Sequence, residues 1–307
     1  MTQSLSVVIP VYNSQESLPI LIPQLLKVLA RITKQYEILL VNDGSQDNSW
    51  QVIENICQKN KNIRAFDLVQ NYGQHNALLC GIRAARYETI VTMDDDLQHP
   101  PAEITKLLDK LNSGADVVYG TPSQETHALW RNFSSQLVKW AFKASLHIPY
   151  ADKISAFRAF RTSLRDKFTD YSNPYVSIDV LLSWGTVKIG FVEIEHVERQ
   201  LGQSQYTFYK LLRHTSNMLL GFSVVPLRLA SFLGFIFTLF GMIILAYVLI
   251  RYIVEGGSAV PGFPFLASLF SIFSGIQLFV LGIIGEYLAR MYTNMMTKPP
   301  YIVYRQL

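Results

Sequence analysis

The chain has 307 residues, half of them hydrophobic, and a formal charge of only +4 from 27 basic and 23 acidic side chains. The basic residues are scattered, with no Lys/Arg block and no interleaved aromatic platform, which argues against a nucleic-acid partner. Cys57 and Cys80 show neither metal-ligand nor redox spacing and read as reduced, buried thiols.

The N-terminal "MTQSLSVVIPVYN" has no basic n-region and no cleavage site, so no secretory leader is expected and the first domain is placed in the cytoplasm. From there strands and helices alternate. "SLSVVIPVY" is a β-branched run, "SLPILIPQLLKVLARI" has apolar residues at helical spacing, and "YEILLVNDGS" is a strand ending in turn residues. "DNSWQVIENICQKN" is a second helix, "NIRAFDLV" a third strand, "HNALLCGIRAAR" a third helix and "YETIVTMD" a fourth strand. This rhythm predicts an α/β fold with a mainly parallel, Rossmann-like sheet and helices on both faces. In such sheets ligands bind beyond the carboxyl ends of the strands. Asn13, Asp43 and Asp94–Asp96 all fall there.

"MDDDLQHPP" puts three carboxylates in a row. In an extended chain residues i and i+2 share a face, so Asp94 and Asp96 are expected to project together and Asp95 to point away and tolerate substitution. Mutual repulsion should raise the pKa of one of the pair. Two convergent carboxylates suit Mg²⁺ or Mn²⁺, hard cations that complete their shells with substrate phosphates. The competing reading is a solvated acidic turn. Pro100–Pro101 should open the next helix.

Past residue 225 the chemistry changes. Leu229–Ile250 and Phe263–Gly285 hold no charge over 22 and 23 residues, long enough for two membrane spans. Arg213 and Arg228 flank one side and Arg290, Lys298 and Arg305 the other, which puts both flanks in the cytoplasm and the short hairpin outside. The last three cations are also candidates for anionic lipid. "YTFYKLLRHTSNMLLGF" reads either as an interfacial amphipathic helix or as an ordinary packing helix. The expected division is a catalytic domain over 1–205, an interfacial segment over 206–227, a membrane hairpin over 228–288 and a cytoplasmic tail over 289–307.

Together, "VVIPVYN", "LLVNDGSQDNS", "NYGQHNALLCGI" and "MDDDLQ" resemble the family-2 glycosyltransferases, inverting enzymes of GT-A fold. The resemblance implies that Pro10, Tyr12, Asn13, Asp43 and Asp94 hold the nucleotide of a UDP-sugar, with Glu16 nearby. It also implies that Asp94 and Asp96, with Gln98, hold the metal on the diphosphate. "DKISAFRAFR", "HVERQLGQSQYTFYKLL" and "GIIGEYLARMYTNMMTKPPYIV" narrow it to the polyprenyl-phosphate glycosyltransferases, including bactoprenol glucosyltransferases and undecaprenyl-phosphate formamido-arabinose transferases. The implied setting is a bacterial inner membrane and the implied assembly a homo-oligomer, such as a tetramer. The implied contacts to the acceptor phosphate are Arg131, Arg158 and Arg199, because an arginine fork pairs phosphate oxygens, with Ser135 and Ser204 as hydroxyl partners. Asp96 and Asp152 are the implied catalytic carboxylates. Asp152 has two open roles: a base, or a residue that orients Arg158 or the acceptor, since a phosphate monoester is largely dianionic at neutral pH. The chain departs from the family pattern at Ser14, where a Glu is usual, at "NDGS" for "DDGS", and at Gln205, where a Lys is frequent. Two other functions compete: a processive polysaccharide synthase, although no Q-x-x-R-W motif is present, and a non-catalytic subunit that binds nucleotide sugar.

Overall fold

The structure, a computed structural model of the chain, describes residues 4–122, 153–195, 197, 225–254, 262–296 and 298–307. β1 (Leu5–Val11) is buried along its whole length, as a strand covered on both faces must be. It pairs in parallel with β2 (Tyr36–Asn42) on one side and β4 (Thr89–Thr92) on the other. β2 pairs in parallel with β3 (Ile63–Leu68). Beyond β4 lie β6 (Arg158–Arg161), antiparallel to both its neighbours, then β5 (Val117–Pro122) and β7 (Ile189–Ile194), which are parallel to each other. The far edge is β8 (Val303–Gln306), antiparallel to β3, so the eight strands run β7-β5-β6-β4-β1-β2-β3-β8.

Helices cover both faces. α1 (Leu18–Ile32) buries Leu18, Leu21, Ile22, Leu25 and Leu29, an i, i+3/i+4 stripe, against Leu5, Val7, Ile9 and Val11. α2 (Ser49–Lys59) and α4 (Ile104–Asn112) join that layer through Ile53, Ile104, Leu107 and Leu111. α3 (Gln74–Ala84) and α5 (Ile178–Gly185) lie on the opposite face with Val8, Leu39 and Val41. Thus β1 sends its helix to one face and β3 to the other, and the chain crosses from β3 to β4 over β1. That reversal opens a crevice at the carboxyl ends of β1 and β4. β1 pairs with β4 only as far as Val8, and Pro10, which has no N–H to give, lies beyond that pairing.

The expected α/β architecture is present, with three differences. β4 stops at Thr92, where the Thr92 hydroxyl donates to the Ala156 carbonyl, so the aspartates follow the strand rather than continue it. Pro101 opens a 3₁₀ turn, Pro101–Glu103, that runs into α4. Of the expected tail, 289–307, residues 289–295 continue the last helix and Val303–Gln306 form the edge strand β8 of the sheet.

α6 (Val225–Val254) and α7 (Phe263–Met295) pack on each other and are long and apolar enough to cross a membrane. Almost none of either apolar window is buried, whereas a soluble core helix would be enclosed. Of the expected interfacial segment, 206–227, residues 206–224 lie outside the described residues and Val225–Leu227 begin α6.

Among the described glycines Gly81 of α3 leaves the least room for a side chain, because a Cβ there would sit 2.3 Å from Val8 Cγ1. Gly81→Ala is expected to lower stability by about 1–3 kcal/mol through overpacking, more than its gain in helix propensity. Thermal unfolding of the detergent-solubilised chain measures it.

Candidate active site

The polar loops after β1, β2, β3 and β4 meet on one edge of the sheet. Asn13 takes φ 55, a left-handed conformation that asparagine tolerates. Its N–H donates to Ser45 Oγ at 3.0 Å, and its Oδ1 accepts from the Gln46 N–H at 2.8 Å. The Ser14 N–H donates to Ser49 Oγ at 2.7 Å. These bonds tie the β1 exit to the β2 exit.

Asp43 ties β2 to the next loop. Its two oxygens accept from the N–H groups of Tyr72 and Gly73 at 2.7 and 2.9 Å. Burial still raises its pKa, because desolvation outweighs the two amide bonds. The following residue must be glycine, since Gly44 has φ +65 and a Cβ there would lie 2.6 Å from the Asn71 nitrogen.

The three aspartates each find a different partner. Asp94 accepts from Gln74 Nε2 at 2.6 Å, and its carboxyl is pushed up to about 7 by burial first, then by Asp96 and Asp95, against the pull of Arg158 and Gln74. Asp95 Oδ2 accepts from the Ser14 hydroxyl and from the Tyr12 N–H at 3.4 Å. Burial pushes it up to about 6, against those two bonds. Asp96 Oδ1 accepts from the Gln98 N–H at 3.1 Å around Leu97, whose φ of 63 turns the chain out of the strand direction. The expected raised pKa is therefore found at Asp94. The expectation that Asp95 points away from its neighbours' side is corrected: β4 has ended, strand parity no longer applies, and Asp95 is held by the β1 exit.

Arg158 is 1 % exposed. Its guanidinium is bonded to Asp179 of α5, and its Nε donates to Thr92 Oγ1 at 3.0 Å. The Tyr119 hydroxyl donates to the same Asp179 oxygen at 3.1 Å. Its charge thus reaches Asp94 from inside the sheet. Tyr12 and Glu16 are exposed at the crevice mouth, Pro10 is buried in β1, and Gln98 is half-buried. Arg131, Ser135, Asp152, Arg199 and Ser204 lie outside the described residues. The sequence reading missed Gln74, Asp179 and the Ser14–Asp95 pair. Gln74 sat in a quoted motif without a role. Asp179 lies 21 residues from Arg158, and only the fold joins them.

Among the described residues no group of three or more His, Cys, Asp or Glu side chains is arranged to hold a metal by itself. Asp94 and Asp96 are two oxygen donors close enough for one charge to act on the other. That set fits a hard cation completed by substrate oxygens rather than an all-protein cage.

The model of "Glycosyl transferase family 2" matches residues 6–170, which span β1 through β6 and every loop described above. The chain belongs to that family. This glycosyltransferase is 32 % identical over 304 residues to an undecaprenyl-phosphate 4-deoxy-4-formamido-L-arabinose transferase of Pseudomonas fluorescens, covering 98 % of this chain and 89 % of that one. It is 34 % identical over 303 residues to the protein of the same name from Enterobacter sp., covering 98 % and 92 %. Among solved structures, mannosyl-3-phosphoglycerate synthase from Rubrobacter xylanophilus superposes with a TM-score of 0.52 at 16 % identity, over 85 % of this chain and 79 % of that one. Glucosyl-3-phosphoglycerate synthase from Mycobacterium tuberculosis, in complex with Mn²⁺, UDP-glucose and phosphoglyceric acid, gives 0.52 at 16 % identity over 70 % and 76 %. The enzyme shares the GT-A fold of these structures.

The carboxylate crowd has a pH signature. With its folded pKa raised to about 7 from 3.8, Asp94 is neutral in the folded chain and ionised in the unfolded chain between those values. Stability of the metal-free glycosyltransferase should therefore fall as pH rises from about 4 to about 7 and stay low above it. Asp94→Asn is expected to raise the metal-free melting temperature at pH 8 and to flatten that dependence; scans across pH check both.

Proposed function

We propose that the enzyme transfers one sugar from a UDP-sugar to polyprenyl phosphate, undecaprenyl phosphate in particular, at the cytoplasmic face of a bacterial inner membrane. The observation that carries the acceptor is the similarity over 98 % of the chain, membrane helices included, to transferases named for that lipid. The sugar is a hexose such as glucose or an amino-arabinose derivative.

In this reading the donor nucleotide lies across the ends of β1 and β2, with Pro10, Tyr12, Asn13 and Glu16 on one side and Asp43 bracing the loop on the other. Asp94, Asp96 and Gln98 would hold a Mg²⁺ or Mn²⁺, which would supply positive charge for the donor diphosphate. Gln74 keeps Asp94 turned into the crevice. Arg158 sets the local field: its buried charge favours the ionised form of Asp94, the form a cation needs. Arg158, expected at the acceptor phosphate, is instead enclosed and paired with Asp179, so that phosphate is met by Arg131, Arg199, Ser135 and Ser204, and Asp152 positions it. Because that phosphate is already dianionic, the nucleophile needs little deprotonation. Direct attack at the anomeric carbon inverts its configuration. α6 and α7 hold the crevice at headgroup height, where the lipid phosphate lies, which is a proximity effect.

Purified full-length protein in detergent, offered a panel of nucleotide sugars with undecaprenyl phosphate, is expected to yield a lipid carrying a single sugar by mass spectrometry. Longer products would point to a processive synthase, and nucleotide-sugar binding without turnover on any lipid phosphate to a non-catalytic subunit. Asp94→Ala and Asp96→Ala are each expected to lower turnover by about 10²–10³-fold, and a chelator to do the same reversibly. Retained activity in both variants would overturn the mechanism.

Asp95→Ala is expected to lower turnover too, by about tenfold, because it releases the β1 exit; Asp95→Asn, which keeps an acceptor oxygen, should lose less. Initial rates at saturating lipid measure the difference.

A further inference from the structure

The last strand does more than cover a sheet edge. β8 follows directly from the end of α7, and its Arg305 turns onto the sheet. Arg305 Nη2 and Nε reach Asp67 Oδ2 at 2.9 and 3.2 Å. The guanidinium lies 4.9 Å from the Trp50 ring centroid and 5.2 Å from that of Tyr304, and approaches Glu54 at 3.5 Å. Trp50 is pinned in turn, since its Nε1 donates to Glu54 at 2.6 Å. A cation with a carboxylate partner and two aromatic faces is held by geometry as well as charge.

Asp67 is 7 % exposed, and its other oxygen is also used. Asn42 Nδ2 donates to Asp67 Oδ1 at 2.7 Å. Asn42 Oδ1 accepts from the Ser45 hydroxyl at 2.6 Å. Ser45 Oγ accepts from the Asn13 N–H at 3.0 Å, and Asn13 is the left-handed residue at the β1 exit. Every donor in this chain points the same way: Asn13 to Ser45, Ser45 to Asn42, Asn42 to Asp67. It ends on a carboxylate neutralised by Arg305. A directional chain of this kind is polarised along its length, and its terminal charge pair fixes which way each link donates. An unpaired Asp67 would be a poorly compensated buried anion and would compete for water or for a rearranged Asn42 amide.

We propose that Arg305 is a positioning residue for the donor loop: through Asp67, Asn42 and Ser45 it holds Asn13 in its left-handed conformation, so that the loop is ordered only when the tail returning from the membrane is docked. The part of the proposal that concerns nucleotide affinity rests on the donor reading above. The chain of hydrogen bonds does not.

The test uses full-length protein in detergent or nanodiscs, with Arg305→Met, Arg305→Lys, Ser45→Ala and the Arg305→Met/Ser45→Ala double variant. Amide hydrogen exchange in residues 12–15 and 44–46 is expected to speed up at least fivefold in Arg305→Met and to stay near the wild-type rate in Arg305→Lys, which keeps a cation at Asp67. Unchanged exchange there in Arg305→Met, with or without a lower melting temperature, overturns the proposal. The equilibrium constant for uridine diphosphate is expected to weaken about three- to tenfold in Arg305→Met, with the KM for undecaprenyl phosphate unmoved. The double variant should weaken it no more than the worse single one, because both changes break one chain. Additive losses overturn the coupling, as does an equal rise in both KM values, which a merely structural defect would give. A wild-type protein that binds no uridine diphosphate overturns the donor reading instead, and the exchange rates still decide whether Arg305 orders the loop.

Discussion

Like charges at consecutive positions repel, and the neighbourhood of Asp94, Asp95 and Asp96 is arranged around that repulsion. The strand stops before them, so the three side chains are spread by a turn instead of being stacked on a pleat. Leu97 accepts a left-handed conformation to make the turn, at a cost of about 1–3 kcal/mol. Asp95 is taken by the β1 exit, Asp96 by its own downstream amide, and Asp94 by Gln74 from α3. Asp94 is left with the highest proton affinity of the three, its pKa about 7, with Asp95 below it at about 6. Burial first, and the neighbouring carboxylates second, hold that proton affinity up, and both are effects that a positive charge at the site would oppose.

The buried Arg158–Asp179 pair belongs to the same electrostatic unit. A buried ion pair is weak evidence for stability, because desolvation offsets most of its Coulomb gain. Here the pair is supported by Thr92 and Tyr119, so the guanidinium's position is fixed by three elements, β4, β5 and α5. Its value lies in where the charge is held. A fixed cation behind the aspartates counteracts their mutual repulsion without entering the crevice or competing for the substrate's oxygens. A solvent-facing arginine would be screened and mobile and would supply little of this field.

The sequence carried the sheet and the positions of its loops because both depend on local pattern. Buried runs such as "LSVVIPV" and helical stripes such as Leu18–Leu29 encode strands and helices within a few residues of themselves. Asn13, Asp43 and Asp94 were legible for the same reason: polar residues at the end of an apolar run mark a strand's carboxyl end. The direction of Asp95 was not, since strand parity holds only while the strand lasts, and the end of β4 is set by Thr92 bonding to Ala156, which is 64 residues away. The roles of Asp179 and Asp67 were hidden likewise. Each answers an arginine brought to it by topology, and neither belongs to a local motif. β8 was not read from "YIVYRQ", because a short β-branched and aromatic run after a long apolar helix gives no sign of which sheet edge it will join.

That edge is the one from which Arg305 reaches Asp67. α7 has 33 residues, so it is about 50 Å long at 1.5 Å per residue. A hydrocarbon core of about 30 Å uses little more than its charge-free portion, which leaves its last turns outside. There Arg290, bonded to Glu286, stacks over Tyr175 at 4.7 Å, in the segment that leads into α5 and Asp179. The chain then crosses to the far edge and pairs with β3 as β8, which places Arg305 beside Asp67. Arg290 and Arg305, expected at lipid headgroups, are thus both occupied by the catalytic domain. One contact meets the segment that leads into α5 and the other meets Asp67, which is bonded to Asn42 at the end of β2, so the chain around the end of α7 touches the sheet domain at two separate places. In the reading proposed above, two anionic substrates meet at the bilayer surface, and these two contacts make the orientation of the sheet relative to α7 part of the site's own geometry.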